Sequence, residues 1–142
     1  MGIGLIDSNI LIYGYDKFDI EKNQIAVGLL KKCWQKKAIY ALSLQNLSEF
    51  FWNITKKVKK PLDKATAYFI VMTLINFSNW KILKFDEETI LLAIDISNKF
   101  DMDYWDSLLA ATMKENKIAT IYTENEKDFK VPWIKAVNPF RK

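Results

Sequence analysis

The chain has 142 residues, half of them hydrophobic, with 21 basic and 17 acidic side chains and a formal net charge of +4. This length suits one domain with a sizeable core, here taken as residues 1–142, and the hydrophobic content argues against intrinsic disorder. Histidine is absent, which excludes Ser-His-Asp and Cys-His catalysis and histidine-bound zinc. Any catalysis must use carboxylates, lysines, hydroxyl groups or a metal that prefers oxygen ligands, such as Mg²⁺ or Mn²⁺.

Five short apolar segments predict strands, and amphipathic segments between them predict helices. The strands are expected at residues 3–7, 39–42, 80–85, 118–122 and 134–137. A short helical turn follows from Ser8, and longer helices are expected at about 25–34, 44–59, 63–77, 86–96 and 106–113. Strands that alternate with helices favour an α/β fold, a three-layer α/β/α sandwich with a central, mainly parallel sheet of four to five strands.

The composition also indicates whether the chain spans a membrane and which cellular compartment suits it. The longest apolar segment, residues 65–77, is shorter than the ~20 residues needed to cross a bilayer and contains Asn76. A single cysteine, Cys33, cannot form an internal disulfide, so we expect a cytoplasmic protein that does not use a membrane. The segment 63–77 is apolar on nearly every side, which is typical of a helix that is fully buried or paired across a dimer interface.

Acidic residues follow the predicted strands closely along the chain. Asp7 ends the first predicted strand, whereas Glu49 and Asp106 lie in the first turns of helices. Because the carboxyl ends of parallel strands share one edge of the sheet, we expect these side chains and Asp128 to form one acidic pocket. Clustered carboxylates repel each other unless a cation neutralises them, so such a pocket implies a divalent metal or raised pKa values.

Each of these acids also has a simpler interpretation. Asp7 is a favoured N-cap for the helical turn that follows it. Glu49 lies off the apolar stripe of its helix, as a solvated glutamate would. Asp106 stands three residues after Asp103, which is the better cap of that helix, and Asp128 could be an ordinary loop residue. It is the ordered set of acids that favours a pocket.

Twenty lysines and one arginine carry the positive charge. Lysine acts on phosphates as a point charge, whereas guanine is read mainly by arginine, so a nucleic-acid partner would be held by its phosphates and its shape. Most lysines are expected on a solvated surface. The best candidates for binding RNA are Lys56, Lys57 and Lys60, because Lys56 shares a helix side with Glu49 and with Trp52, which could stack on a base or belong to the core.

Four segments resemble the motifs of one known family, the PIN domains. Residues 5–13, Leu-Ile-Asp-Ser-Asn-Ile-Leu-Ile-Tyr, resemble its opening; Leu-Ser-Glu-Phe at 47–50 resembles its second acidic motif. Residues 105–111, Trp-Asp-Ser-Leu-Leu-Ala-Ala, are close to its third motif, and residues 123–129, Thr-Glu-Asn-Glu-Lys-Asp-Phe, resemble its fourth. The resemblance covers essentially the whole chain, whose size is similar to that of VapC-like toxins of toxin–antitoxin pairs.

This resemblance implies a Mg²⁺- or Mn²⁺-dependent endoribonuclease that hydrolyses RNA phosphodiester bonds. Its metal ligands and catalytic residues would be Asp7, Glu49, Asp106 and Asp128. Many relatives carry Asp where this chain has Asn125, so Glu124 or Glu126 could replace Asp128 as the fourth acid. Residues expected to orient the carboxylates or to contact the phosphate are Ser8, Asn9, Asp103, Thr123 and Asn125.

The same resemblance implies a homodimer and a small antitoxin protein as partner. The main alternative is a PIN-like module that binds RNA or a protein without cleaving. A phosphate-accepting receiver domain would need a pair of acids after the first strand, which is missing. A haloacid-type phosphatase would need a second Asp two residues after Asp7, but position 9 is Asn.

Overall fold

The computed structural model describes residues 2–141. In this part of the chain, five strands alternate with α-helices. The strands are β1 (Gly4–Ile6), β2 (Tyr40–Ser43), β3 (Trp80–Leu83), β4 (Thr120–Tyr122) and β5 (Lys135–Val137). The helices are α1 (Ser8–Tyr15), α2 (Ile20–Trp34), α3 (Leu44–Lys56), α4 (Lys64–Asn76), α5 (Glu87–Phe100) and α6 (Tyr104–Glu115), with a 3₁₀ turn at Glu126–Asp128.

The strands form one sheet in the order β3-β2-β1-β4-β5, and every pairing is parallel. The predicted α/β sandwich is therefore confirmed, with five strands. β1 lies in the centre, and its last residue, Ile6, pairs with Tyr122 at the end of β4. The next residues of the two strands, Asp7 and Thr123, consequently lie side by side at one edge of the sheet.

The two faces of the sheet are buried by different helices. Leu5 and Ala41 belong to a core shared with α5 and α6, whereas the adjacent Ile6 and Leu42 belong to a core shared with α1 to α4. Successive side chains of a strand point to opposite faces, so a strand covered on both faces is apolar throughout. This explains why the strands appear in the sequence as short continuous apolar runs.

Polar caps set the helix ends near the sheet edge. Ser43 begins α3 with a reciprocal capping box, in which its hydroxyl accepts from the Asn46 N–H and the Asn46 side chain accepts from the Ser43 N–H, each at 3.0 Å. Asp103 accepts a hydrogen bond from the Trp105 N–H at 2.9 Å and begins α6. Such caps satisfy backbone donors that have no partner inside the helix. They fix where α3 and α6 start, and hence where Glu49 and Asp106 are placed.

Helix α3 ends at Lys56, earlier than the predicted end near residue 59. Lys57 and Lys60 therefore belong to the connection to α4 and are exposed.

Helix α4 is not fully buried, which was one of the two environments predicted for it. Its fully buried residues are Ala67 and Leu74, while Tyr68 and Phe69 are more than 60% exposed. Complete burial of this helix was therefore a wrong expectation, and pairing across an interface stays a prediction. Among residues 2–141, no helix is both long enough and apolar enough to span a membrane.

Candidate active site

Asp7 lies at the centre of the polar edge of the sheet, directly after β1. One carboxylate oxygen, Oδ1, accepts a hydrogen bond from the Ser8 N–H at 2.8 Å and caps α1. The other, Oδ2, accepts from the Thr123 hydroxyl at 2.8 Å. Burial raises the pKa of Asp7 above its usual range, and these two hydrogen bonds act in the opposite direction. Asp7 is thus both a helix cap and a partly buried carboxylate of the pocket.

Thr123 and Asn9 join the two central strands around this carboxylate. Thr123 is fully buried, and the Asn9 amide donates to its hydroxyl and to Asp7 Oδ2, both at 3.4 Å. The side-chain oxygen of Asn9, Oδ1, accepts from the Glu124 N–H at 3.2 Å. The N–H of Asn125 donates to the Thr123 hydroxyl at 3.1 Å, while the Asn125 side chain is exposed. Asn9 and Thr123 therefore position Asp7, whereas Asn125 contributes through its backbone.

Glu49 is brought to the same edge by α3. Its carboxylate accepts a hydrogen bond from the Ser8 hydroxyl at 3.1 Å, so Ser8 links α1 to α3. The pKa of Glu49 is raised, first by burial and also by the negative charge of Asp7, and the Ser8 hydrogen bond lowers it. Glu49 is partly buried, so the simpler interpretation of a fully solvated glutamate is wrong.

Asp106 lies in the first turn of α6 and faces the other acids. Its pKa is raised to about 7, first by burial and then by neighbouring negative charges. These charges act in the decreasing order Asp128, Asp103, Asp7 and Glu49. All the predicted acids thus act on one carboxyl group, although they are distributed over the whole length of the chain. Asp103 is an exposed helix cap at the rim of this cluster.

The three acids after β4 have different environments. Glu124 is paired with Lys22 and accepts a hydrogen bond from the Tyr13 hydroxyl at 3.0 Å. Glu126 is paired with Arg141 at 2.8 Å. The carboxylate of Asp128 has no hydrogen-bond or ion-pair partner among residues 2–141, and its charge raises the pKa of Asp7. Of the three, Asp128 is therefore the acid directed at the cluster.

The donor atoms suit a hydrated divalent cation better than a directly bound one. Among residues 2–141, no three acidic side chains converge tightly enough to hold a metal ion. Mg²⁺ usually keeps several waters and is bound through one or two carboxylates. Burial is the main cause of the raised pKa values of Asp7, Glu49 and Asp106, and repulsion from neighbouring acids adds to it. A bound cation would stabilise these carboxylates against both effects. The oxygen-only donor set and the accumulated charge thus fit Mg²⁺ or Mn²⁺ held partly through water.

The predicted RNA-binding residues lie outside the acidic cluster. Trp52 is about half exposed, and the Lys56 ammonium lies 5.2 Å from the centroid of its ring. Lys56 is two helical turns from Glu49, which corresponds to about 10 Å along α3. Trp52 is thus a surface residue of α3 and does not belong to the core.

A cluster of side chains that the sequence did not indicate holds the segment that follows β4. Lys22 binds Glu124, its ammonium lies 3.4 Å from the Tyr13 hydroxyl, and it lies 5.4 Å from the centroid of the Phe140 ring. Tyr13 stands one helical turn after Asn9, so it shares that side of α1, which was the one available signal. These contacts connect α1, α2 and the carboxyl-terminal segment to Glu124.

Comparison with known proteins identifies the family and the fold. The family model of the PIN domain matches residues 4–132, and no curated protein sequence matches the chain. FitAcB from Neisseria gonorrhoeae superposes with a TM-score of 0.67 at 18% identity, covering 99% of this chain and 100% of the other. VapBC2 from Rickettsia felis gives 0.66 at 19% identity, covering 96% and 98%. VapC20 from Mycobacterium tuberculosis, described as a toxin that cleaves the sarcin–ricin loop, gives 0.64 at 13% identity, covering 84% and 87%.

At these identities the solved structures establish the fold alone, and the family model establishes the membership. Its match extends from β1 to the segment just before β5, so it includes all the acids of the cluster. The chain belongs to the PIN domain family.

Proposed function

We propose that this protein is a metal-dependent endoribonuclease and the toxin of a type II toxin–antitoxin pair. The observation that carries the proposal is the meeting of Asp7, Glu49, Asp106 and Asp128 at the carboxyl edge of the sheet, where the other acids raise the pKa of Asp106. Such crowding of negative charge around partly buried carboxyl groups is characteristic of sites that bind a cation or transfer protons. Membership of the PIN domain family and the fold shared with VapC20 and with the VapBC2 and FitAcB proteins support the same conclusion.

In the proposed site, Asp7, Glu49, Asp106 and Asp128 hold one or two Mg²⁺ or Mn²⁺ ions, directly or through water. A bound ion would lower the pKa of a water molecule and offset the charge of the phosphodiester. The Thr123 hydroxyl donates to Asp7 and favours its ionised form, and the Ser8 hydroxyl does the same for Glu49. Asp106 must release a proton when the cation binds at neutral pH, because its pKa is near 7.

Cleavage of RNA by the purified protein tests this function. We expect cleavage with Mg²⁺ or Mn²⁺, none with EDTA, and none with Asp7→Ala or Asp106→Asn, both of which should keep a cooperative thermal transition. The matched control is Asp95→Asn, which removes an exposed carboxylate from α5 and should cleave like the wild type. Unchanged cleavage by the first two variants would contradict the catalytic assignment. Metal binding without cleavage would favour the alternative of an inactive RNA- or protein-binding module.

We also propose that Lys56, Lys57 and Lys60 hold RNA phosphates beside the acidic site, with Trp52 available for stacking. Each phosphate contact to single-stranded nucleic acid contributes about 0.7 to the slope of log K against log salt. Replacing the three lysines by Gln should therefore lower that slope by about 2 in a titration with uncleavable RNA and Ca²⁺. The control is Lys81→Gln on β3, and an unchanged slope in the triple variant would refute this role.

The proposed protein partners are a second copy of the chain and a small antitoxin. Two helices expose adjacent apolar side chains that a monomer would leave in water: Tyr68, Phe69, Met72 and Ile75 of α4, and Ile90, Leu91 and Ile94 of α5. Patches of this kind mark interaction surfaces more often than free surface. Sedimentation velocity should detect a dimer at micromolar concentration, and Phe69→Lys and Leu91→Lys should show which helix forms it. A monomer at every concentration would exclude the homodimer.

A further inference from the structure

A second cavity lies at the opposite edge of the sheet, where the strands begin. Its volume is about 620 Å³, which is within the range of small-molecule sites. Gly4 makes room for one of its walls, because the Tyr122 ring lies back over this residue and a Cβ at Gly4 would be 2.5 Å from Tyr122 Cε2. The cavity is lined by residues 2–4, Lys32, 36–40, Asn79, Thr120 and Tyr122.

The charge of this cavity is strongly positive. Lys32, Lys36 and Lys37 line it, and no acidic side chain of residues 2–141 does. These lysines lie at the carboxyl-terminal end of α2, where the helix dipole is equivalent to roughly half a negative charge. Three full positive charges exceed this amount several-fold. The lysines therefore leave a positive field for a bound anion after the helix end has been neutralised.

Tyr40 supplies an unused hydrogen-bond donor in the same cavity. Its side chain is only 5% exposed, and its hydroxyl has no hydrogen-bond partner among residues 2–141. The hydroxyl oxygen itself is open to solvent in the cavity, because the fully buried side-chain atoms without a partner among residues 2–141 belong to Gln45, Asn46 and Trp80. Burial raises the pKa of Tyr40 to about 12, so the hydroxyl remains protonated at neutral pH and can donate to a ligand oxygen.

Apart from Asn79 and Thr120, the remaining walls are apolar and aromatic. The Tyr122 ring lies 5.8 Å from the Tyr40 ring, centroid to centroid, and Ile39 is 41% exposed. A flat ring can pack against such a wall, while the lysines hold a charged group at the rim. A ligand that combines a ring with a phosphate matches both parts of the cavity.

We propose that this cavity binds a nucleoside phosphate, with the phosphate on Lys32, Lys36 and Lys37 and the base against Tyr122. The ligand is either a free mononucleotide or the terminal nucleotide of an RNA. This site is separate from the acidic cluster, since it lies at the amino ends of the strands and the acids follow the carboxyl ends.

Calorimetric titration of the full chain with AMP in EDTA tests the proposal. Tyr40→Phe removes only a hydroxyl without a protein partner, so it should leave the thermal transition unchanged and raise the dissociation constant about tenfold. Lys36→Gln with Lys37→Gln should raise it at least as much. The control pair Lys64→Gln and Lys99→Gln removes the same charge from exposed helix positions outside the cavity and should bind AMP like the wild type. Equal weakening by the control pair, or an unchanged constant in both cavity variants, would overturn the site.

Three further titrations identify the ligand and separate this site from the acidic one. Asp7→Ala with Asp106→Asn should bind AMP unchanged, and loss of binding there would place the ligand at the acidic cluster and overturn the proposal. Inorganic phosphate should bind more weakly than AMP, because it lacks the ring, and equal affinity would reduce the site to a phosphate site. A 5′-phosphorylated trinucleotide that binds at least as tightly as AMP would identify an RNA end as the ligand, and weaker binding would identify a free nucleotide. Failure of AMP to bind the wild type would refute the proposal without affecting RNA cleavage at the acids.

Discussion

Asp106→Asn should remove a pH-dependent loss of stability from the metal-free protein. The pKa of Asp106 is about 7 in the folded chain and near 3.8 when the chain is unfolded. Between these values the folded protein keeps a proton that the unfolded chain has released. Its free energy of unfolding therefore falls as the pH rises through this window, and the loss remains complete above pH 7. An Asn at this position has no proton to lose.

The size of the effect follows from the two pKa values. Their difference corresponds to roughly 4 kcal/mol at 1.36 kcal/mol per pKa unit. Asp106 is partly exposed, so solvent screens its charge, and the positive end of α6 stabilises it further. With both corrections we expect about 1–2 kcal/mol.

Urea unfolding in EDTA at pH 5 and pH 8 measures this difference. These pH values span about two thirds of the window, so the wild type should lose about 1 kcal/mol more than Asp106→Asn between them. Asp95→Asn, which changes an exposed residue of α5, should lose as much as the wild type. Equal losses in the wild type and Asp106→Asn would refute the argument that burial and neighbouring acids destabilise the Asp106 carboxylate.

Three further results are expected at the acidic site. Mg²⁺ should raise the melting temperature more at pH 8 than at pH 6, because Asp106 must be ionised to attract the ion; equal shifts in differential scanning fluorimetry would contradict this. Thr123→Val removes the hydroxyl that holds Asp7 and should weaken Mg²⁺ binding about tenfold by calorimetry. Thr73→Val, whose hydroxyl bonds within α4, should leave that affinity unchanged. Asp128→Asn should lose RNA cleavage in a gel assay while Glu126→Gln keeps it, and the reverse result would assign the fourth acid to Glu126.

The fold was predictable because the central strands β1 and β2 are buried on both faces and each α-helix begins at a polar cap. The errors lie at the ends of elements. Phe85 was placed in the third strand, but β3 ends at Leu83, opposite Ser43 of β2. Ser43 is also the cap that turns the chain into α3, so β3 loses its pairing partner there. An apolar run in the sequence indicates burial, but it does not indicate where the neighbouring strand ends.

The candidate site was predictable only in part, for a related reason. Asp7 and Asp106 were expected at the pocket from their positions after a strand and at a helix start. Periodicity left Glu49 ambiguous, because it lies away from the core stripe of α3 and the stripe reports contact with the core alone. The Ser8 hydroxyl, 41 residues away in the chain, is what engages its carboxylate. Contacts across such a distance have no periodic signal in one sequence.

The choice of the fourth acid depends on even longer contacts. Glu124 is neutralised by Lys22, 102 residues earlier, and Glu126 by Arg141, 15 residues later. No local pattern distinguishes these acids from Asp128, since all three follow β4 within a few residues. The folded chain separates them by pairing two and leaving the third carboxylate without a partner among residues 2–141.

The two interpretations of Asp7, helix cap and pocket acid, are compatible because its two oxygens have different partners. Oδ1 caps α1 and Oδ2 receives the Thr123 hydroxyl. Asn caps a helix about as well as Asp, whereas Ala loses the cap at a cost of typically about 1 kcal/mol. The free energy of unfolding of Asp7→Asn, measured in urea, should therefore be about 1 kcal/mol higher than that of Asp7→Ala, yet both variants should lack RNA cleavage. If Asp7→Asn were as unstable as Asp7→Ala, the cap would contribute nothing at this position; if it still cleaved RNA, the charge of Asp7 would be unnecessary.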